Sequence, residues 1–513
     1  MIRAHAADVV RTAEEAVAAG LPDGLATLVA RASAALARVV GQELRDVAGR
    51  VYGGAVVLLV GGGTNGGDAL HAGALLAARG AAVTALLATP SAHAPGLAAL
   101  RRAGGRVLAE DAAAGAAGRA AVGAADVVVD GLLGTGGRPG LRGTAAVLAG
   151  AVAAGGARVV AVDVPSGTDV GTGAVPAGPV DAGSAPCVRA DVTVALGTAK
   201  PTLLLPPASA LAGRVVVAGI GLRPDDLGAP AVERLGAADV AARWPRPTGT
   251  SDKYSRGVVG VVAGGATYTG AAVLATGAAT RAGAGMVRYL GPARPTDLVR
   301  ARWPEVVPGP GRVQAWVLGP GVDPDDEEQG DHVRAALAED VPCVVDAGAL
   351  PALVTALADG ARGDGPTLLL PHAGELARLL GQLGTPCGRD DVEARPLEHA
   401  RRAADATGAV VLLKGGTTLV VPPGRAGAGA VPVRSQADGT PWLATAGSGD
   451  VLAGVAGVLA AAGLDVADAG ALGAAVHGLA GSAASAGGPL HAEAVVAALP
   501  EVLTALLEDV PTG

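Results

Sequence analysis

Ala55-Val56-Val57-Leu58-Leu59-Val60-Gly61-Gly62-Gly63-Thr64-Asn65-Gly66-Gly67-Asp68 decides the fold. Its six uninterrupted apolar residues are the pattern of a strand buried on both faces, and they run straight into a glycine-rich turn. A helix predicted over 69–79 and a second strand over 82–87 complete a strand, turn, helix, strand unit of an open parallel sheet. Gly61, Gly63 and Gly66 match GxGxxG, but a lone match is weak. The second strand ends in Ala88-Thr89-Pro90, with no acid for ribose hydroxyls, so a redox role for nicotinamide loses ground.

Working outward, residues 8–50 read as helices broken at Gly20-Leu21-Pro22. Downstream, strands predicted over 126–130, 158–162 and 191–196 lead into Asp130-Gly131-Leu132-Leu133-Gly134-Thr135-Gly136-Gly137, Asp163-Val164-Pro165-Ser166-Gly167 and Gly197-Thr198-Ala199-Lys200-Pro201. Asn65, Asp68, Asp130, Asp163, Ser166 and Lys200 therefore gather past the carboxyl ends of strands, where open α/β sheets bind ligands. The oxygens of Asn65, Asp130 and Ser166 suit a hard cation, and Asp163 with Lys200 suits acid/base chemistry.

The Pro-rich stretch 226–245 reads as a linker between domains at 1–225 and 246–513. Beyond it a second alternation begins, with strands predicted over 258–263, 315–318, 342–345, 367–370 and 409–413. It ends at Thr445-Ala446-Gly447-Ser448-Gly449-Asp450, a turn opening a helix over 451–464. Free N–H groups and the positive end of the helix dipole make such a start a grip for phosphate, with Asp450 beside it as a base. His372, Lys414 and the glycines after it lie at strand ends nearby. There is no GxxxxGK[ST] loop, which argues against a P-loop enzyme.

Composition narrows the function. The 513 residues carry a net charge of −8 and a pI near 5.5, which argues against nucleic acid or an anionic membrane as partner. Three scattered cysteines indicate neither a disulfide framework nor a zinc site. The longest apolar run is too short to span a bilayer and the first residues lack a signal-peptide core, so a cytoplasmic protein is expected. Gly and Ala abound, Phe is absent, and only Lys200, Lys253, Lys414 and Asn65 remain of their residue types. Where a drift this strong spares a residue, a specific demand for it is the reading.

GGGTNGGD, DGLLGTG, DVPSG and GTAKP, in that order across residues 8–220, resemble the NAD(P)H-hydrate epimerase domain. The resemblance implies a Rossmann-like unit that interconverts the R and S forms of hydrated NADH or NADPH around a potassium ion. By it, Asn65, Asp130 and Ser166 bind potassium. Thr64, Asn65, Gly66, Gly67, Asp68, Gly134, Thr135, Gly136, Gly137, Arg138, Pro139, Gly140 and Asp163 contact the substrate, and Asp163 and Lys200 move protons. Thr64 stands where the family has Asn, Ala69 where it has Gly, and the usual LMExAG run is missing.

KYSRG, YTGAA, RAGAG, GPG, PHAGELARL, LLKGGTT and TAGSGDVLAG, across residues 240–510, resemble the ribokinase-like family and its ADP- or ATP-dependent NAD(P)H-hydrate dehydratase branch. That match implies that Ala271, Gly321, His372 and Asp450 meet the hydrated nucleotide. Lys414, Gly415, Gly416, Thr417, Thr418 and Gly449 hold ADP or ATP with Mg2+, and Asp450 acts as catalytic base. Asp346-Ala347-Gly348 replaces the family's DAD, so a magnesium or phosphate contact is expected to weaken. The expectation is a two-domain α/β enzyme, each domain a largely parallel sheet with helices on both faces. It repairs NADHX or NADPHX with an adenine nucleotide, as a homo-oligomer. The alternative is a ribokinase-like small-molecule kinase fused to a non-catalytic nucleotide-binding domain.

Overall fold

The computed structural model describes residues 1–137, 139–176, 185–323, 325–424 and 431–508. The chain divides into two compact units, one of Arg3–Val232 and one of Met1–Ile2 with Glu233–Gly513. The division falls inside the stretch expected as a linker. That stretch is more than a connector, since it holds strand Val232–Arg234 and helix Ala237–Arg243.

The first unit is built on seven parallel strands. Their order across the sheet is Arg106–Leu108, Ala82–Leu87, Ala55–Val60, Val127–Gly131, Arg158–Val162, Val192–Leu196 and Arg214–Ala218. The central strand has apolar side chains at every position because both faces are covered. Val56, Leu58 and Val60 pack with Leu36, Leu44 and Leu76 on one face, and Val57 and Leu59 with Leu148 and Val152 on the other. The order reverses direction between Ala55–Val60 and Val127–Gly131, and such a switch point is where an open sheet leaves a crevice for ligand.

The helix expected from residue 69 begins at Thr64, so the TNGGD segment is its first turn. The glycines tolerate this because space, not flexibility, is what they supply: a side chain at Gly61 would come within 1.8 Å of the Leu132 carbonyl oxygen, and one at Gly66 within 2.3 Å of that of Gly61.

In the second unit, strand order runs Val433–Gln436, Thr418–Val421, Val410–Leu413, Thr367–Leu369, Cys343–Val345, Ala315–Leu318, Val258–Val262, Met286–Leu290 and Val307–Pro308. Thr418–Val421 runs against both of its neighbours, Val410–Leu413 and Val433–Gln436, and the other strands of the series run parallel to one another. Helix Ser448–Ala461 starts three residues before its expected position and is buried along nearly its whole length. It packs against helix Thr269–Arg281, where Gly454 brings the two backbones together.

Candidate active sites

Two arrangements in the first unit stand at the carboxyl edge of the sheet. In one, Asp130 is fully buried and accepts from the Leu132 N–H (3.2 Å), the Ser166 N–H (2.8 Å) and the Ser166 hydroxyl (2.7 Å). The Asn65 amide donates to the carbonyls of Val162 (2.7 Å) and Leu133 (3.3 Å), which spends its N–H groups and keeps its oxygen as an acceptor. Burial pushes the Asp130 carboxyl up to about 6, against which only neutral donors act. A carboxylate so placed gains from a cation, and the oxygens of Asn65, Asp130 and Ser166 are the hard donors an alkali ion takes. The three residues fit potassium.

In the other arrangement Asp163 sits just past its strand at φ 67°, a left-handed conformation that costs a non-glycine residue about 1–3 kcal/mol. Three contacts hold it there: its N–H donates to Val194 O (2.8 Å), and its Oδ1 accepts from the Leu196 N–H (2.9 Å) and Lys200 Nζ (2.5 Å). Lys200 is 2% exposed and donates also to the carbonyls of Leu196 (2.8 Å) and Thr198 (3.1 Å). Three ammonium hydrogens thus meet three acceptors. Lys200 is saturated, and what it does in this state is fix Asp163.

Asp163 and Lys200 open on a cavity of about 120 Å³ that is also lined by Thr64, Asn65, Asp68, Thr135 and Glu14. Asp68 is pushed up to about 7 by burial first, then by the negative charges of Asp163 and Glu14. Its Oδ1 has no hydrogen-bond partner; the Ser33 hydroxyl is close enough to favour the ionised form but lies outside hydrogen-bonding geometry.

The other expected contacts divide. Gly66 and Gly67 lie buried in the helix start, and Gly134 backs onto the Asn65 side chain. Gly136, Gly137, Pro139 and Gly140 are outside the cavity lining, and Arg138 lies outside the described residues. Ala69 is accommodated because Gly131 lies opposite, where any side chain would come within 2.9 Å of the Ala69 methyl.

In the second unit Lys414 stands at the end of its strand, its Nζ 2.8 Å from Asp346 Oδ1 and 3.7 Å from Glu375 Oε2. Burial works against the ammonium, but Asp346, Glu375 and Asp450 outweigh it and hold Lys414 above the usual lysine value. Gly449 lies against this group, since a side chain there would reach 3.2 Å from Lys414 Nζ. Asp450 is pushed up to about 7 by burial, then by Asp346 and Glu375, with Lys414 opposing. Gly447, at φ 87°, makes the turn that delivers Ser448, Gly449 and Asp450 to the helix start. Ser448 is held from behind by a 3.1 Å hydrogen bond with Nε2 of buried His477.

His372 and Lys414 are backbone neighbours on adjacent strand ends. The His372 ring is already engaged, its Nδ1 accepting from the N–H groups of Gly374 (3.0 Å) and Glu375 (3.3 Å) as the cap of helix Ala373–Gln382. Gly415 and Gly416 are exposed in the hairpin between Val410–Leu413 and Thr418–Val421, with Thr417 and Thr418 beside them. Ala271 and Gly321 meet, as a side chain at Gly321 would approach the Ala271 methyl to 2.5 Å.

Sequence reading passed over Glu375 and His477 as members of this cluster, and placed Asp346 only in a motif that departs from the family's. The signal for Glu375 was the H-x-x-E spacing of a capping box, and Asp346 carried the strand-end position of its neighbours. Gly348 has a local cause: a side chain there would come within 2.1 Å of the Val322 carbonyl oxygen. Restoring the family's acid by Gly348→Asp is therefore expected to cost about 1–3 kcal/mol through overpacking. Thermal melting should show the loss, with no fall in the KM for adenine nucleotide.

Two α/β units, one carrying a cation-suited oxygen set beside a proton-handling cavity and the other an anion-gripping helix start beside a buried lysine, define a two-site enzyme of nucleotide chemistry. A family profile described as YjeF-related protein N-terminus matches residues 25–202, and one described as NAD(P)H-hydrate dehydratase matches 259–498. The chain is 44% identical over 470 residues to the bifunctional NAD(P)H-hydrate repair enzyme Nnr of Mycobacterium tuberculosis, covering 90% of this chain and 89% of the relative. It is 43% identical over 466 residues to that of Mycobacterium leprae, with the same coverage. Among solved structures, the ADP/ATP-dependent NAD(P)H-hydrate dehydratase of Bacillus subtilis aligns with 53% of this chain and 97% of its own, at 24% identity and a TM-score of 0.46. The chain belongs to the family of bifunctional NAD(P)H-hydrate repair enzymes.

Proposed function

We propose that the Arg3–Val232 unit interconverts the R and S forms of hydrated NADH or NADPH, and that the second unit removes water from the S form at the expense of ADP or ATP. The observation that carries the reading is the convergence of Lys414, Gly449 and Asp450 at one helix start. Water is a poor leaving group, so the hydroxyl must first be converted into a better one. Asp450 takes the hydroxyl proton as that oxygen attacks the terminal phosphoryl group of the nucleotide, whose bond to the bridging oxygen breaks and releases AMP from ADP or ADP from ATP. The phosphate then departs with the carbon–oxygen electron pair, and loss of a ring proton restores the conjugated double bond. Lys414 and the N–H groups at the Ser448 end offset the charge that develops on the phosphate.

Among the described residues no group of three His, Cys, Asp or Glu is arranged to hold a metal. Magnesium fits here as an ion carried by the nucleotide's phosphates, with Asp450 or Glu375 adding at most one or two oxygens, its usual mode. It supplies charge neutralisation. In the first unit Asn65, Asp130 and Ser166 hold potassium and Asp163 handles protons, while Lys200 keeps Asp163 in place.

The rival reading, a small-molecule kinase, differs in its product. Dehydration yields one reduced nicotinamide nucleotide per orthophosphate released, and no phosphorylated substrate persists. Quantifying both products from the S hydrate with ADP tests this, and a stable phosphorylated nucleotide without restored NADH would establish the kinase instead.

A further inference from the structure

We propose that Glu14, on helix Ala7–Ala19, is a positioning residue of the epimerase site that keeps a transferable proton on Asp68, and that Asp68 delivers this proton to the hydroxyl of the hydrate. The inference rests on the epimerase reading of the first unit and adds two carboxyl groups to it.

Five ionisable side chains line one cavity: Arg11 and Glu14 from one helix, Asp68, Asp163 and Lys200. Three are acids and two are bases, and Lys200 is committed to Asp163 at 2.5 Å. Asp68 and Glu14 are left without a cation of their own inside the lining apart from Arg11, which is exposed. Two carboxylates in a small, largely desolvated space do not both ionise readily, and keeping one of them protonated is the cheaper state. The arrangement points to Asp68 as the holder: it is 5% exposed, and its Oδ1 has no hydrogen-bond partner. Around it stand Glu14 from its helix, Ser33 from helix Leu25–Ala48, Asp163 from the turn after its strand, and Lys200. Burial, Asp163 and Glu14 favour the protonated form, whereas Ser33 and Lys200 favour the ionised one. Glu14 is itself shifted upward by burial and by Asp163, with Lys200 opposing.

The chemistry needs such a donor. Hydration of an enamine leaves the hydroxyl on the carbon bonded to nitrogen. Asp68 gives its proton to that oxygen, the carbon–oxygen bond breaks with its electron pair leaving in water, and the ring nitrogen's lone pair fills the vacated orbital. Water then adds to the opposite face as Asp163 takes its proton, and proton exchange with solvent resets both carboxyl groups. Nothing is consumed, as an epimerisation requires.

The test follows R-to-S interconversion by NMR in the full chain without adenine nucleotide, as a function of pH, in wild type, Glu14→Gln, Glu14→Asp and Asp68→Asn. Removing the Glu14 charge makes Asp68 more acidic, so the alkaline limb of the rate profile moves down by about one pH unit and the rate above it falls about tenfold. Glu14→Asp keeps the charge and the wild-type limb. Asp68→Asn loses about 10²–10⁴-fold in rate. An unmoved limb in Glu14→Gln, or near wild-type interconversion by Asp68→Asn, overturns the proposal while leaving the epimerase reading intact. Absence of interconversion in wild type overturns both.

Discussion

Asp450→Asn is expected to lower dehydration by about 10²–10⁴-fold while leaving epimer interconversion at the wild-type rate. The substitution keeps the shape of a side chain in the first turn of helix Ser448–Ala461 and removes only its ability to take a proton. Loss of a negative charge near a helix N-terminus costs about 0.3–1 kcal/mol, too little to unfold the unit. Measured kcat with the S hydrate, ADP and magnesium reports the effect. The wild-type pH profile carries a second signature. A base must be ionised to act, and Asp450 is raised to about 7 by burial and by Asp346 and Glu375, so kcat should rise with pH through that value and level off above it. An acid limb in the ordinary carboxylate range would remove Asp450 from the role.

Lys200→Met carries the largest expected effect on stability. The lysine is 2% exposed and is the direct partner of Asp163, itself buried. Removing one member of a buried pair leaves an uncompensated charge, at a cost of about 3–5 kcal/mol. For a unit of this size, about 2–4 °C in Tm accompanies each kcal/mol, so its transition should fall by roughly 6–20 °C. Asp163→Asn is the informative contrast. Asparagine tolerates the left-handed backbone that Asp163 adopts, and its side-chain oxygen can still accept from Lys200 Nζ. Asp163→Asn should therefore melt closer to wild type than Lys200→Met while losing epimerisation. Equal destabilisation by the two would show that the pair matters to the fold alone.

How far the chain was legible beforehand follows from what each feature leaves in sequence. The central strands were readable because burial on both faces demands an unbroken apolar run, as in Ala55–Val60 and Val258–Val262. Helix starts were misplaced wherever glycines preceded them. Thr64–Gly67 and Ser448–Gly449 read as turns by propensity, yet the Gly61 carbonyl oxygen excludes a side chain at Gly66 and Lys414 Nζ crowds one at Gly449. The short edge strand Arg106–Leu108 and the four-residue strand Val433–Gln436 carry too few residues to show a period.

Residue scarcity proved a guide with a limit. Lys200 and Lys414 both lie in ion pairs within the clusters, and Asn65 is buried with its N–H groups bonded. Lys253 is exposed beside the Tyr254 ring, 5.1 Å from its centroid. Glu14 was invisible because an acid on an amphipathic helix usually faces solvent. Only the fold brings that turn of the helix to the cavity of Asp163.

The most direct measurement is recovery of reduced-nicotinamide absorbance from a mixture of R and S hydrates with ADP, magnesium and potassium, followed to completion. Two working sites predict recovery of the whole mixture by the wild-type chain, and arrest at the S fraction in Asp163→Asn provided spontaneous epimerisation is subtracted. Arrest at the S fraction in the wild type would contradict the epimerase claim, and no recovery from either form would contradict the account as a whole.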